Sequence, residues 1–187
     1  MASWTALVSE CAENLGGDEL SGRSMIETVR EGYRPNCIKT LFVGESAPAS
    51  GDFFYCGGNA MLTHMRCAVE PALGGSGGSD QDFLERFKKY GWFLDDLMLT
   101  PVNHLTKSER KAKCLEAQRS LADRIAAYQP EAIVSLLIFN KPFVDEAAIM
   151  AGSNAPPGTP YPFPGMSHQG RFQAAMACII PKLPRLI

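Results

Sequence analysis

Short apolar runs alternate along this chain with stretches of helical periodicity. Residues 38–43 (Ile-Lys-Thr-Leu-Phe-Val) read as a buried strand, 92–100 as a second strand stopped by Pro101, and 132–138 as a third. The third is the most apolar, as a central parallel strand should be. The intervening segments carry apolar residues three and four apart. Trp4, Leu7, Val8 and Cys11 predict a helix, and residues 20–29 a second short one, before Arg34-Pro35-Asn36 breaks the chain. Further helices are expected over 59–69, over 80–90 with Gly91 at its end, from 106 to before Pro130, over 141–151 with Gly152 closing it, and over 167–180. In the long helix Thr106 and Glu109 form a T-x-x-E capping box, and Cys114, Ala117, Leu121, Ile125 and Tyr128 make one apolar stripe.

Strands that alternate with helices predict an α/β fold, a mostly parallel sheet covered on both faces in three layers. Such sheets bind ligands at the carboxyl ends of their strands. The loops at Gly44, Pro101 and Gly165 are therefore expected at one rim. Gly74-Gly75-Ser76-Gly77-Gly78 contains no Lys and follows no strand, so it is a flexible link and not a phosphate-binding loop.

The length of 187 residues suits one domain, and a domain of this size buries about 70% of the surface its unfolded chain exposes without needing disulfides or metal. The longest apolar stretch, residues 132–139, falls far short of the ~20 residues a bilayer requires. Met1-Ala2-Ser3-Trp4 lacks the basic region and apolar run of an export signal, so a cytoplasmic location, or a nuclear one in a eukaryote, is expected. Six scattered cysteines with no CxxC pair read as reduced thiols rather than as a zinc or iron–sulfur site. Asp95-Asp96 is not expected to hold a metal either, since neighbouring carboxylates in a strand point to opposite faces. A net charge of −2 gives no general affinity for polyanions, although local phosphate contacts remain open. The cationic stretch 107–113 reads as a solvated helix face.

The loop after the first strand is the most unusual part of the chain. Gly44, Pro48 and Gly51 shape it, Glu45, Ser46 and Ser50 supply polar groups, and Phe53, Phe54 and Tyr55 cluster just beyond. Stacking faces beside a few fixed polar groups suit a flat aromatic ligand; alternatively the three aromatics are core and the loop is a tight turn. Glu45 is open to a catalytic role or to backbone capping, and Asn59 equally to chemistry or to an N-cap. Ser167 also has the look of an N-cap.

Leu41-Phe42-Val43-Gly44-Glu45-Ser46-Ala47-Pro48-Ala49-Ser50-Gly51 is similar to the first motif of the uracil-DNA glycosylase superfamily, in which a strand ends in Gly-Glu-x-Pro-Gly or Gly-x-Asn-Pro-Gly. Phe53-Phe54-Tyr55 followed by Asn59 resembles its hypoxanthine-DNA glycosylase branch. The order strand, Pro101 loop, helix and Pro130-Glu131-Ala132-Ile133-Val134 resembles the middle of that superfamily. The chain departs from it in lacking an Asp or Asn in the first loop, in reading Gly165-Met166-Ser167-His168-Gln169 where His-Pro-Ser is usual, and in lacking the four-cysteine cluster of one branch.

The resemblance implies a single uracil-DNA glycosylase-like domain over residues 1–187 with a four-stranded sheet, acting as a monomer on single- or double-stranded DNA that contains a lesion. It implies excision of a deaminated base by hydrolysis of the N-glycosidic bond, with no metal or cofactor, or else a member of the fold that binds a nucleobase or damaged DNA without catalysis. Glu45, Asn59 and His168 would then be the catalytic residues. Gly44, Ser46, Pro48, Phe53, Phe54 and Tyr55 would line the base pocket, Phe54 stacking on the flipped base. Ser50 and Ser167 would grip phosphates, and Met166 and Arg171 would enter the space the nucleotide leaves.

Overall fold

The apolar core of β1 (Thr40–Gly44) is buried on both faces, which suits the central position it occupies. The computed structural model describes residues 19–49, 52–75, 77–155 and 168–186. The helix expected around Trp4 to Cys11, residues Ser50 and Gly51, and the segment containing Met166 and Ser167 lie outside the described residues. β1 is hydrogen-bonded in parallel to β2 (Trp92–Asp96) on one side and to β3 (Ala132–Ser135) on the other, giving the order β2-β1-β3. Thr40 lies opposite Trp92 and Ala132, and Gly44 lies opposite Asp96. Three strands of the expected four are present among the described residues.

The helices follow from their caps. α1 (Glu19–Gly32) brings Ile26, Val29 and Arg30 into the interior. α2 (Ala60–Leu73) starts at Asn59, whose side-chain oxygen accepts from the Leu62 amide. α3 (Asp80–Lys89) starts with a reciprocal Ser79–Asp82 capping box. Its end is marked by Gly91, whose φ of +71° and 2.9 Å approach of a virtual Cβ to the Cys37 carbonyl leave room for glycine alone. α4 (Lys107–Tyr128) opens on the predicted Thr106–Glu109 capping box and ends at Gln129 in the left-handed region, φ +48°, just before Pro130. α5 (Lys141–Met150) and α6 (Gln169–Ile179) complete the set among the described residues, and a short turn, Ile180–Lys182, follows.

α4 packs against α5, and α2 against α6. Gln173 in the second turn of α6 bonds His64 in the second turn of α2 at 3.1 Å. Beyond α6 the Pro184 carbonyl accepts from Thr40 Oγ1 and Trp92 Nε1, at the amino ends of β1 and β2. α6 thus descends beside α2, and its first turn lies toward the carboxyl ends of the strands. Among the described residues no helix is long and apolar enough to cross a membrane.

An aromatic cluster fills the β2 side of the core. Phe42 meets Phe87 and Trp92 with ring centres 5.3 and 5.6 Å apart, and Tyr33 stacks on Tyr55 at 5.1 Å. Phe53, Phe54 and Tyr55 belong to this cluster, with Phe54 against both Tyr55 and Phe87. Tyr55 also exchanges hydrogen bonds with the backbone of Leu94. The three are only 1%, 4% and 1% exposed, so no ring face is open to an incoming base. Of the two readings of this run, the structure displays the packing one.

Candidate functional site

The loop that leaves β1 is fixed from two sides. Leu97 and Met98 donate from their amides to the carbonyls of Gly44 and Glu45, continuing the β2 ladder past the strand end. On the β3 side, Leu136 N–H donates to the Val43 carbonyl, and the Asn140 amide nitrogen donates to the Gly44 carbonyl at 3.3 Å. In a parallel sheet of order 2-1-3 the chain reverses its direction of travel between β1 and β3, the place where such folds open a crevice. Gly44, Glu45 and the turn containing Phe139 and Asn140 meet there.

Glu45 is half-buried, and its carboxylate is gripped from α4 by Arg110, whose Nε donates to Oε1 at 3.0 Å and whose Nη2 reaches both oxygens. The same guanidinium lies 5.9 Å from the Phe139 ring centre. This fork-to-fork geometry is the strong form of a carboxylate hydrogen bond. The Glu45 bonds push Arg110 above its ordinary range and keep it charged. Cys114, one turn further along α4, is pushed up to about 11, by burial first and then by the Glu45 charge, so its thiol stays protonated at neutral pH. Asn140 is fully buried, and its Oδ1 has no hydrogen-bond partner among the described residues. A buried acceptor without a donor is costly unless a water or ligand completes it.

Beneath the loop lies a buried ion network. Arg30 donates to Asp95 at 2.6 Å and to Asp96 at 2.7 Å, and Arg124 pairs with Asp95 from α4. Asp95 and Asp96 therefore do not diverge as strand alternation predicts. At the strand end both side chains reach one guanidinium through its separate nitrogens. Burial disfavours the charge on Arg30, but Asp96, Asp95 and Glu27 outweigh it and hold the group protonated. Burial pushes the Asp96 carboxyl up to about 6, with Asp95 adding to the rise and Arg30 and Arg124 opposing it. Gly44 is required here for a simple reason: a Cβ would sit 2.3 Å from Asp96 Oδ1.

The predicted site residues divide into three groups. Gly44, Glu45, Ser46 and Pro48 form the loop at the carboxyl end of β1, Gly44 buried and the other three half-buried. Asn59 is not free for chemistry. Its Nδ2 faces the carbonyls of Phe53, Phe54 and Gly57, its Oδ1 takes the Leu62 amide, and it is 5% exposed. Phe53, Phe54 and Tyr55 are core. His168 stands exposed at the start of α6 without capping that helix by its side chain, and Arg171 is exposed one turn on. Ser50, Met166 and Ser167 are outside the described residues.

No family model, curated protein or solved structure matches the chain.

Arg110, Asn140 and Arg30 are site residues that the sequence did not single out, and Asp96 was weighed there only as a metal ligand. Arg110 was hidden in a cationic helix stretch, and Asn140 in the turn between β3 and α5. β3 lies at an edge of the described sheet rather than at its centre, and only the place of Asn140 in the turn after a parallel strand, where ligand-binding turns lie, could have marked it. Among the described residues no cluster of three or more His, Cys, Asp or Glu side chains is arranged around a metal position. An open cleft of about 480 Å³ lies elsewhere, lined by Thr63, Arg66, Cys67, Glu70 and Asp80. Its charges are spent on one another, Arg66 pairing with Asp80 and Glu70, so it offers less chemistry than the strand ends.

Proposed function

We propose that this chain is a uracil-DNA glycosylase-like protein that hydrolyses the N-glycosidic bond of a deaminated base, with its pocket at the carboxyl ends of β1 and β3. The observation that supports the reading best is the convergence of the Gly44-Glu45 turn, Arg110 and Asn140 at the crevice of the sheet. The four-stranded, three-layered architecture of that superfamily belongs to the same proposal.

Cleavage of an N-glycosidic bond develops positive charge on the sugar and negative charge on the departing base. A carboxylate serves the first, and the two-nitrogen grip of Arg110 fixes Glu45 in direction. Glu45 then orients water toward the anomeric carbon or faces the cationic sugar. The Oδ1 of Asn140, without a partner among the described residues, is suited to accept an N–H of a base edge. His168, at the end of α6 that lies toward the carboxyl ends of the strands, is the candidate donor to the leaving base. Asn59 and the Phe53–Tyr55 run drop out of the chemical roles and serve as the scaffold of the loop.

The test uses single- and double-stranded oligonucleotides carrying uracil, hypoxanthine or xanthine, followed by alkaline cleavage of abasic sites. Strand breaks that disappear in Glu45→Gln are expected. No abasic sites for any of the three lesions, with protein in excess, defeat the reading. A second reading, a nucleobase-binding protein without catalysis, draws support from the Arg110 grip, which occupies both carboxylate oxygens of Glu45. Binding of lesion DNA with no base release selects it.

A further inference from the structure

We propose that the first two turns of α4 form a cationic rest for the backbone of a nucleic acid entering the Gly44-Glu45 crevice, gripped by Lys107 and Lys111. This rests on the reading of that crevice as a nucleic-acid site and adds the surface by which the strand is held. Arg110 carries the link between the two: it leaves α4 between Lys107 and Lys111 in sequence and binds the carboxylate at the crevice. The stretch that looks like an ordinary solvated face in the sequence therefore stands at the mouth of the candidate pocket.

The charges there are not balanced. Glu109 is turned back onto Thr106 by the capping box, Glu116 is taken by Lys113, and Glu45 by Arg110. Among the described residues neither Lys107 nor Lys111 forms an ion pair, and both are exposed. One helical turn apart, they share a face at a Cβ separation of about 5–6 Å. Their flexible stems let two ammonium groups reach neighbouring phosphates of one strand. Because the whole chain carries a net charge of −2, such a local surplus gives a polyanion a place to land. The paired Glu45 no longer repels it.

The experiment compares wild type, K107Q/K111Q and a control with the same loss of charge on other elements, K89Q/K182Q, in which both lysines are exposed. Fluorescent undamaged oligonucleotides, single-stranded and duplex, are titrated at several salt concentrations and read by anisotropy. Vesicles containing phosphatidylserine form a parallel arm. The expected result is roughly tenfold weaker binding by K107Q/K111Q at low salt. Its log–log salt slope should be shallower by about 1.5, the value for two lost phosphate contacts. K89Q/K182Q should bind as wild type does. The proposal is overturned if K107Q/K111Q keeps wild-type affinity and slope, if the control loses as much, if wild type binds neither oligonucleotide, or if only the vesicles are bound. Lysine-dependent binding without base release leaves this surface standing and removes the glycosylase reading. Base release with unchanged binding in K107Q/K111Q does the reverse.

Discussion

At the start of α2 one amide side chain closes four backbone contacts, three through its NH2 group and one through its oxygen. Asn59→Ala loses a cap worth about 0.5–2 kcal/mol and leaves buried carbonyls without donors, so a total loss near the top of that range is expected in urea unfolding. Asn59→Asp keeps the cap acceptor but turns a second oxygen toward the carbonyls of Phe53, Phe54 and Gly57, so it should destabilise the protein at least as much. If the proposed glycosylase activity exists, its rate per folded molecule should be unchanged in Asn59→Asp; a collapse of rate without loss of stability would return the residue to the chemistry. Asp96 makes a different prediction. Its folded carboxyl titrates near 6, above the ordinary value of 3.8, so the folded state holds a proton that the unfolded chain releases. The contribution is fully present below the unfolded value and is lost as pH rises through about 6. Asp96→Asn, which mimics the protonated form, should therefore gain stability relative to wild type between pH 4.5 and 7.5. A difference that stays constant across that range would mean that Arg30 keeps Asp96 ionised throughout.

At the scale of elements, what local chemistry encodes was readable and what distant contacts decide was not. The Thr106–Glu109 box, the Asn59 cap and the Gly91 stop involve residues a few positions apart, and each lies where the pattern places it. Residues 38–43 and 132–138 located β1 and β3 within a few residues, while β2 was drawn to residue 100 and ends at Asp96. From there the chain still follows β1 through the Leu97 and Met98 amides but no longer as regular strand. The loop at Gly44 was legible as the turn at the carboxyl end of β1; the partners of Glu45 and Gly44, 65 and 96 residues away in the chain, were not. The Phe53–Tyr55 run failed as a stacking platform because aromatic composition alone does not distinguish a ligand face from a core face. The β1–β2 register supplies its own test. Gly44→Ala places a methyl 2.3 Å from Asp96 Oδ1, so it should destabilise the protein by about 1–3 kcal/mol, the usual cost of overpacking. In an Asp96→Ala background that penalty should shrink, and a double-mutant cycle with no coupling would place the strain elsewhere.

At the scale of the whole molecule, the segment after α6 ties the helical layer to the sheet. The Pro184 carbonyl accepts from both Thr40 and the Trp92 indole, and the Leu186 amide donates to the Tyr90 carbonyl. Both acceptor contacts end on the amino ends of β1 and β2, opposite the candidate site. Thr40 and Trp92 are fully buried, so removing residues 183–187 strips a hydroxyl and an indole N–H of their acceptor and uncovers the largest ring of the core. Each orphaned donor costs about 1–3 kcal/mol if it stays dry, and solvent that reaches it instead opens the aromatic cluster around Phe42 and Phe87. Truncation after Lys182 should therefore lower the urea midpoint and raise the intrinsic Trp fluorescence wavelength together. The proposed Glu45-dependent activity, at the other end of the strands, should fall only as far as the folded fraction falls. A truncated protein with native midpoint and emission would mean that the strap is ornamental and that α6 is held by its contact with α2 alone.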